Sequence, residues 1–139
     1  SVVRNAFRIY GDDRVVLISD SMRATGMEAN AVFDDKTKDN EKSCFTLGGQ
    51  KVIVNGALAT LEDGTIAGSV TNLYDCMKKA IAMGIPKESA IKAATINPAR
   101  SIGMDGEIGS MEAYKRADIL VVDEDLRIET VIIGGKLCK

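Results

Sequence analysis

The stretch Val15-Val16-Leu17-Ile18-Ser19-Asp20-Ser21-Met22 sets an apolar run of strand length against a carboxylate flanked by small polar residues. Four consecutive apolar, partly β-branched residues predict a strand covered on both faces, the form strands take in a parallel α/β sheet. In that architecture chemistry gathers at the carboxyl ends of strands, and Asp20 falls where such an end is expected. Asp also caps helices and forms turns through side-chain to backbone hydrogen bonds, so its position alone leaves both readings open.

A chain of 139 residues is long enough for one domain with a real core. It begins at Ser1, and Val2-Val3-Arg4-Asn5-Ala6-Phe7 has neither the basic start nor the apolar centre of a signal peptide, so a start inside a longer polypeptide is expected. No apolar run approaches the ~18 residues that span a bilayer, and no membrane partner is expected. A net charge of -2, with Lys and Arg scattered and aromatic residues few, argues against nucleic acid as a partner. Cys44, Cys76 and Cys138 are odd in number and widely spaced, which fits a reducing, cytoplasmic setting better than a disulfide framework. The chain contains no histidine. A Ser-His-Asp triad, a histidine proton shuttle or a histidine-ligated zinc site therefore cannot be completed from these residues, and no metal ligand is assigned among them.

Read in order, residues 1–13 predict the end of a helix and a turn, with Val3, Ala6 and Phe7 at helical spacing before Gly11-Asp12-Asp13. Residues 34–42 carry seven charges of both signs in nine positions and read as solvated surface. Short strands are predicted over Cys44–Leu47, Lys51–Val54 and Ala57–Leu61, with Asn55-Gly56 as a hairpin turn and Asp63-Gly64 as the next one. Thr65-Ile66-Ala67-Gly68-Ser69 reads as a small-residue loop, Ser69 capping a helix from Val70 that buries Val70, Leu73, Met77, Ala80 and Ile81. Gly68 allows a close backbone approach, either to a ligand or merely within a tight loop. Gly84 ends that helix, and Pro86 starts another with Ala90, Ile91, Ala94 and Thr95 inward. Pro98 is expected to turn the chain, and Gly103 to stop it. The tail predicts strands over Ala117–Asp123, Ile128–Ile133 and Lys136–Cys138.

In this order of motifs the chain resembles the C-terminal part of the N-acetylglucosamine-6-phosphate deacetylases of the amidohydrolase superfamily. The resemblance is carried by Leu17-Ile18-Ser19-Asp20-Ser21-Met22-Arg23-Ala24-Thr25-Gly26, Leu47-Gly48-Gly49, Asp63-Gly64-Thr65-Ile66-Ala67-Gly68-Ser69 and Ala94-Thr95-Ile96-Asn97-Pro98-Ala99. It implies an α/β fold: residues 1–105 as the C-terminal part of a metal-dependent (β/α)8 barrel, with its last strand and an inserted β-hairpin, and residues 106–139 as strands of a small β-sandwich. It implies Asp20 as catalytic acid/base, and Ile66, Ala67 and Gly68 as a loop that meets the sugar through backbone groups. It implies a divalent metal, zinc or iron, whose ligands are mostly absent from this chain, and an amino-sugar phosphate as small-molecule partner. A homo-oligomer is expected on other grounds, because one barrel strand, a hairpin and three sandwich strands leave apolar edges and faces that invite association. Tyr114 departs from the pattern, standing where those deacetylases have Gly in a turn before a Lys.

Amide hydrolysis requires an activated water and a protonated leaving amine. By the resemblance, the metal would lower the pKa of water while Asp20 carries its proton to the sugar nitrogen. Two other readings stand beside this one. A dihydroorotase- or deaminase-like amidohydrolase would share Asp20 and the Asn97-Pro98-Ala99 turn but not the Asp63–Ser69 loop. A non-catalytic folded fragment is the reading that the missing histidines favour for this chain by itself, which is expected to be inactive.

Overall fold

Ser1 opens the first helix, its hydroxyl accepting the amide of Arg4 at 3.3 Å and so satisfying one of the donors a helix start leaves free. That helix, α1, runs Val2–Tyr10, buries Phe7, and stops at Gly11, whose φ of 77° lets its amide return to the Phe7 carbonyl at 2.9 Å. This is the helix-then-turn predicted for residues 1–13. The structure is a computed structural model, and it describes residues 1–22, 25–26, 44–47, 50–55, 58–61 and 63–138. The charged run 34–42 lies outside the described residues. The chain divides into two compact units, one of Ser1–Leu17 with Met77–Lys139 and one of Ile18–Cys76.

The predicted buried strand at Val15–Ile18 is not a strand. Leu17 donates to the Ala93 carbonyl at 2.8 Å, but Val16 is 38% and Ile18 73% exposed, and among the described residues no ladder forms along the run. Apolar β-branched residues favour a pleated surface only where partners exist. Among the described residues, the partner here is a single parallel bridge from Ser21 to Ser69.

The unit Ile18–Cys76 is built on an antiparallel sheet of β1 (Cys44–Leu47), β2 (Gln50–Asn55), β3 (Leu58–Leu61) and β4 (Ile66–Ser69), in that order. Val52 of β2 and Ala59 of β3 are fully buried, with Met22, Val54, Leu61, Ala67 and Val70 packed on them. Two sequence expectations shift. Asn55 pairs with Leu58 as a ladder residue instead of turning the chain. Residues 66–69, expected as a loop, form β4, because Gly68 and Ser69 pair with Ala59 and Leu58 and the register outweighs weak strand propensity. The Asp63-Gly64 turn stands as predicted, the Asp63 carboxylate accepting the Thr65 amide at 2.9 Å.

Helix α2 spans Leu73–Ala82 and buries Met77 and Ala80. It begins three residues later than predicted, because Asn72 rather than Ser69 caps it: the Asn72 side chain accepts the Asp75 amide and donates to the Asp75 carboxylate, both at 2.8 Å. Pro86 precedes α3 (Lys87–Ala94) with a non-helical ψ of 141° instead of being its first residue. Helix α3 buries Ser89, Ala90 and Ala93, while Ile91 is 39% exposed, so its inner stripe differs from the predicted one. Pro98 does not turn the chain; it sits in the first turn of α4 (Ile96–Ser101), where no helical amide is needed. From α4 the Asn97 side chain, 3% exposed, donates to the carbonyls of Asp12 at 2.6 Å and Val15 at 2.8 Å. Gly109, at φ 92°, lies so close to α4 that a Cβ there would come within 2.9 Å of the Ala99 Cβ and 3.1 Å of the Thr95 carbonyl.

The tail forms the predicted antiparallel strands β5 (Ile119–Val122), β6 (Ile128–Ile133) and β7 (Lys136–Leu137), with Ile119 opposite Ile132. Tyr114 is fully exposed and has φ 71°, the left-handed backbone that Gly adopts most readily. The departure at this position is thus one of side chain and not of turn geometry.

Candidate active site around Asp20

Asp20 takes φ 50°, a left-handed conformation that Asp tolerates better than most residues. Its neighbours hold it there. The Ser69 amide donates to the Asp20 carbonyl at 2.9 Å, and the Ser69 carbonyl accepts the Met22 amide at 2.8 Å. One residue at the end of β4 thus holds the main chain from the Asp20 carbonyl to the Met22 amide. The Ser69 carbonyl also lies 3.4 Å from the Thr25 hydroxyl, and the Ser69 hydroxyl accepts the Thr71 amide at 2.9 Å.

Gly68 is placed by the same contact. At φ 146° it is in a backbone region that L side chains rarely adopt, and a Cβ built on it would stand 3.4 Å from both the Asp20 carbonyl oxygen and the Met22 Cβ. Gly68 thus packs on the segment that carries Asp20, at a distance where a Cβ would be in ordinary van der Waals contact. The register of β4 on β3 passes from Gly68 opposite Ala59 to Ile66 opposite Thr60, skipping Ala67. A residue skipped in this way is the extra residue of a β-bulge, and its main-chain groups are left out of the ladder. The Ala67 methyl packs on the Val52–Ala59 core while Ile66 is 66% exposed. What Ala67 can offer a ligand is therefore backbone.

The serines flanking Asp20 form a second connection that the sequence reading did not assign. Ser21 Oγ lies 2.6 Å from Ser19 Oγ and 2.7 Å from the Thr71 carbonyl. A small polar residue on each side of the acid was the visible signal; the distant carbonyl was not. The Asp20 side chain is exposed, and among the described residues no cation or hydrogen-bond donor is paired with it.

A metal centre is not assembled from these residues. Among the described residues no group of three or more His, Cys, Asp or Glu side chains comes together, and the chain has no His at all. Asp20 offers one carboxylate where an open catalytic site ordinarily has about three protein ligands.

The amidohydrolase family matches the chain over residues 17–138, from just before Asp20 to the last strand. The chain belongs to the amidohydrolase family. Among curated amidohydrolase relatives, the N-acetylgalactosamine-6-phosphate deacetylase of Escherichia coli O157:H7 is 30% identical over 126 residues, which cover 90% of this chain and 30% of that one. The N-acetylglucosamine-6-phosphate deacetylase of Vibrio furnissii is 32% identical over 125 residues, covering 89% of this chain and 28% of its own length. Among solved structures, the N-acetyl-D-glucosamine-6-phosphate deacetylase of Mycobacterium smegmatis, in complex with N-acetyl-D-glucosamine-6-phosphate, superposes with a TM-score of 0.79 at 28% identity over 98% of this chain and 33% of that chain. The chain thus spans about a third of the length of these relatives, and its helices and small sheets are a part of the amidohydrolase fold, a barrel with a β-domain. Deacetylases of this family are metal-dependent as a class.

Proposed function

We propose that the intact protein containing this chain hydrolyses the acetamide of N-acetylglucosamine 6-phosphate, releasing acetate and glucosamine 6-phosphate, with Asp20 as general acid/base. The observation that carries this reading is the Ser69 to Asp20 hydrogen bond at 2.9 Å, because it sets the exposed carboxylate beside the bulged strand of Ile66, Ala67 and Gly68. Asp20 accepts a proton from the attacking water and delivers it to the amine nitrogen as the C–N bond breaks, ending in its starting charge state. The unpaired main-chain groups of Ala67, between Ile66 and Gly68, bind the sugar. The amino-sugar phosphate is supported by the Mycobacterium smegmatis complex, and the divalent metal of this reading, zinc or iron, takes its ligands from outside the described residues. The exposed apolar side chains of Leu120, Val121 and Ile133 support a homo-oligomer, and the free thiols of Cys76 and Cys138 support a cytoplasmic setting. We keep residues 1–105 as barrel and 106–139 as sandwich within the intact protein.

The Escherichia coli relative supports a second substrate, the galactosamine epimer. Acetate release by the purified full-length protein from N-acetylglucosamine 6-phosphate, N-acetylgalactosamine 6-phosphate and a cyclic amide tests both. Turnover of either sugar phosphate with none of the cyclic amide is the expected result; the reverse would give the site to a dihydroorotase-like reaction.

A further inference from the structure

We infer that Ser21 is a positioning residue for Asp20, acting through a hydroxyl chain that runs from Ser19 to Ser21 to the Thr71 carbonyl. The direction of the chain follows from its chemistry. A hydroxyl has one proton to donate, and a carbonyl oxygen can only accept. The 2.7 Å contact of Ser21 Oγ with the Thr71 carbonyl therefore uses the Ser21 proton, and the 2.6 Å contact between the two hydroxyls is donated by Ser19. The residues immediately before and after Asp20 are thereby joined to each other and to the segment following β4.

This arrangement bears on the carboxylate because φ at Asp20 is 50°. Relaxation of that backbone to negative φ would swing the side chain to a different bearing, and a proton-transferring group loses rate steeply when its reach is wrong by about 1 Å. The Ser69 bonds to Asp20 and Met22 are main chain to main chain, so no side-chain substitution removes them directly. The hydroxyl chain is the part of the clamp supplied by the side chains that flank Asp20. Its members are all within Ile18–Cys76, the unit that also carries Gly68 and Ser69.

The inference rests on Asp20 as acid/base, so its test has two arms. In the full-length protein, Ser21→Ala is expected to lower kcat about five- to tenfold with KM within twofold, and Ser21→Thr, which keeps the hydroxyl, to restore kcat to within twofold of wild type. Ser19→Ala combined with Ser21→Ala is expected to be no worse than Ser21→Ala alone, because both cut one chain. The second arm needs no substrate: hydrogen exchange at the Ser69 amide is expected to quicken about tenfold in Ser21→Ala and not in Ser21→Thr. Unchanged kcat in Ser21→Ala, failure of Ser21→Thr to rescue, or unchanged Ser69 exchange would each overturn the inference. A full-length protein that turns over neither sugar phosphate would sink the proposed reaction, while the exchange arm would still decide whether Ser21 holds Asp20.

Discussion

The amide of Ser69 donates to the carbonyl of Asp20 at 2.9 Å, and the carbonyl of the same serine accepts from Met22 at 2.8 Å, so the backbone around the exposed acid is set by one residue at the end of β4.

Asp20→Asn in the full-length protein is expected to leave circular dichroism unchanged and to lower kcat for acetate release by ~10²-fold or more. Asn tolerates a left-handed backbone about as well as Asp, so the φ of 50° does not confuse the result. Retention of more than about a tenth of wild-type kcat would remove Asp20 from the reaction.

Gly68→Ala brings backbone strain of about 1–3 kcal/mol and a methyl 3.4 Å from the Asp20 carbonyl, so Tm and kcat are expected to fall together. Gly64→Ala is the matched control. Gly64 also has positive φ, 85°, but open space around it, and this variant should lower Tm while kcat stays unchanged.

Gly109→Ala is expected to cost about 3 kcal/mol in denaturant unfolding, since a Cβ at 2.9 Å from the Ala99 methyl and 3.0 Å from the Ile96 Cα meets backbone and a short side chain that cannot swing away. A loss below about 1 kcal/mol would show that α4 yields easily.

Asn97→Ala removes both donors to the Asp12 and Val15 carbonyls, for an expected loss of about 2–3 kcal/mol. Asn97→Asp is expected to be worse. It turns an acceptor toward two acceptors at a site 3% exposed, and its penalty should grow as pH rises and the carboxylate ionises. Equal unfolding midpoints for the two variants would contradict this donor role.

The Asp118 carboxylate is held below its ordinary value of 3.8, first by the Gly134 amide and then by the Arg116 side chain. A group whose folded pKa is depressed contributes stability that is present above its unfolded pKa and is lost as pH falls through the folded value. Wild type should therefore lose stability below pH ~4 through this group, and Asp118→Asn should flatten that part of the profile in acid titrations followed by circular dichroism. An unchanged acid limb would remove Asp118 from the linkage.

Local signals made much of the fold legible. Helix α1, the hairpins of β1–β3, the Gly84 stop and the tail strands each depend on caps, turns and periodicity that lie within a few residues of one another. Val15–Ile18 misled because apolar β-branched composition reports a preference, whereas a strand exists only where a ladder partner lies alongside it. Residues 66–69 misled in the opposite direction: small residues look like a loop until the register with Leu58 and Ala59 makes them a strand. At the site, Asp20 and Gly68 stood out by residue type, and their adjacency became visible only in the structure. Ser21 carries no such local signal, because its acceptor, the Thr71 carbonyl, is 50 residues away in sequence.

That separation has a kinetic consequence. The sheet β1–β4 zips through neighbouring antiparallel pairs, each closing a short loop, whereas Ser21 and Thr71 are 50 positions apart in sequence and their joining must await them. The setting of Asp20 is expected to be completed late in folding and lost early on heating, so pulse-labelled exchange should protect the amides of β2 and β3 before that of Ser69.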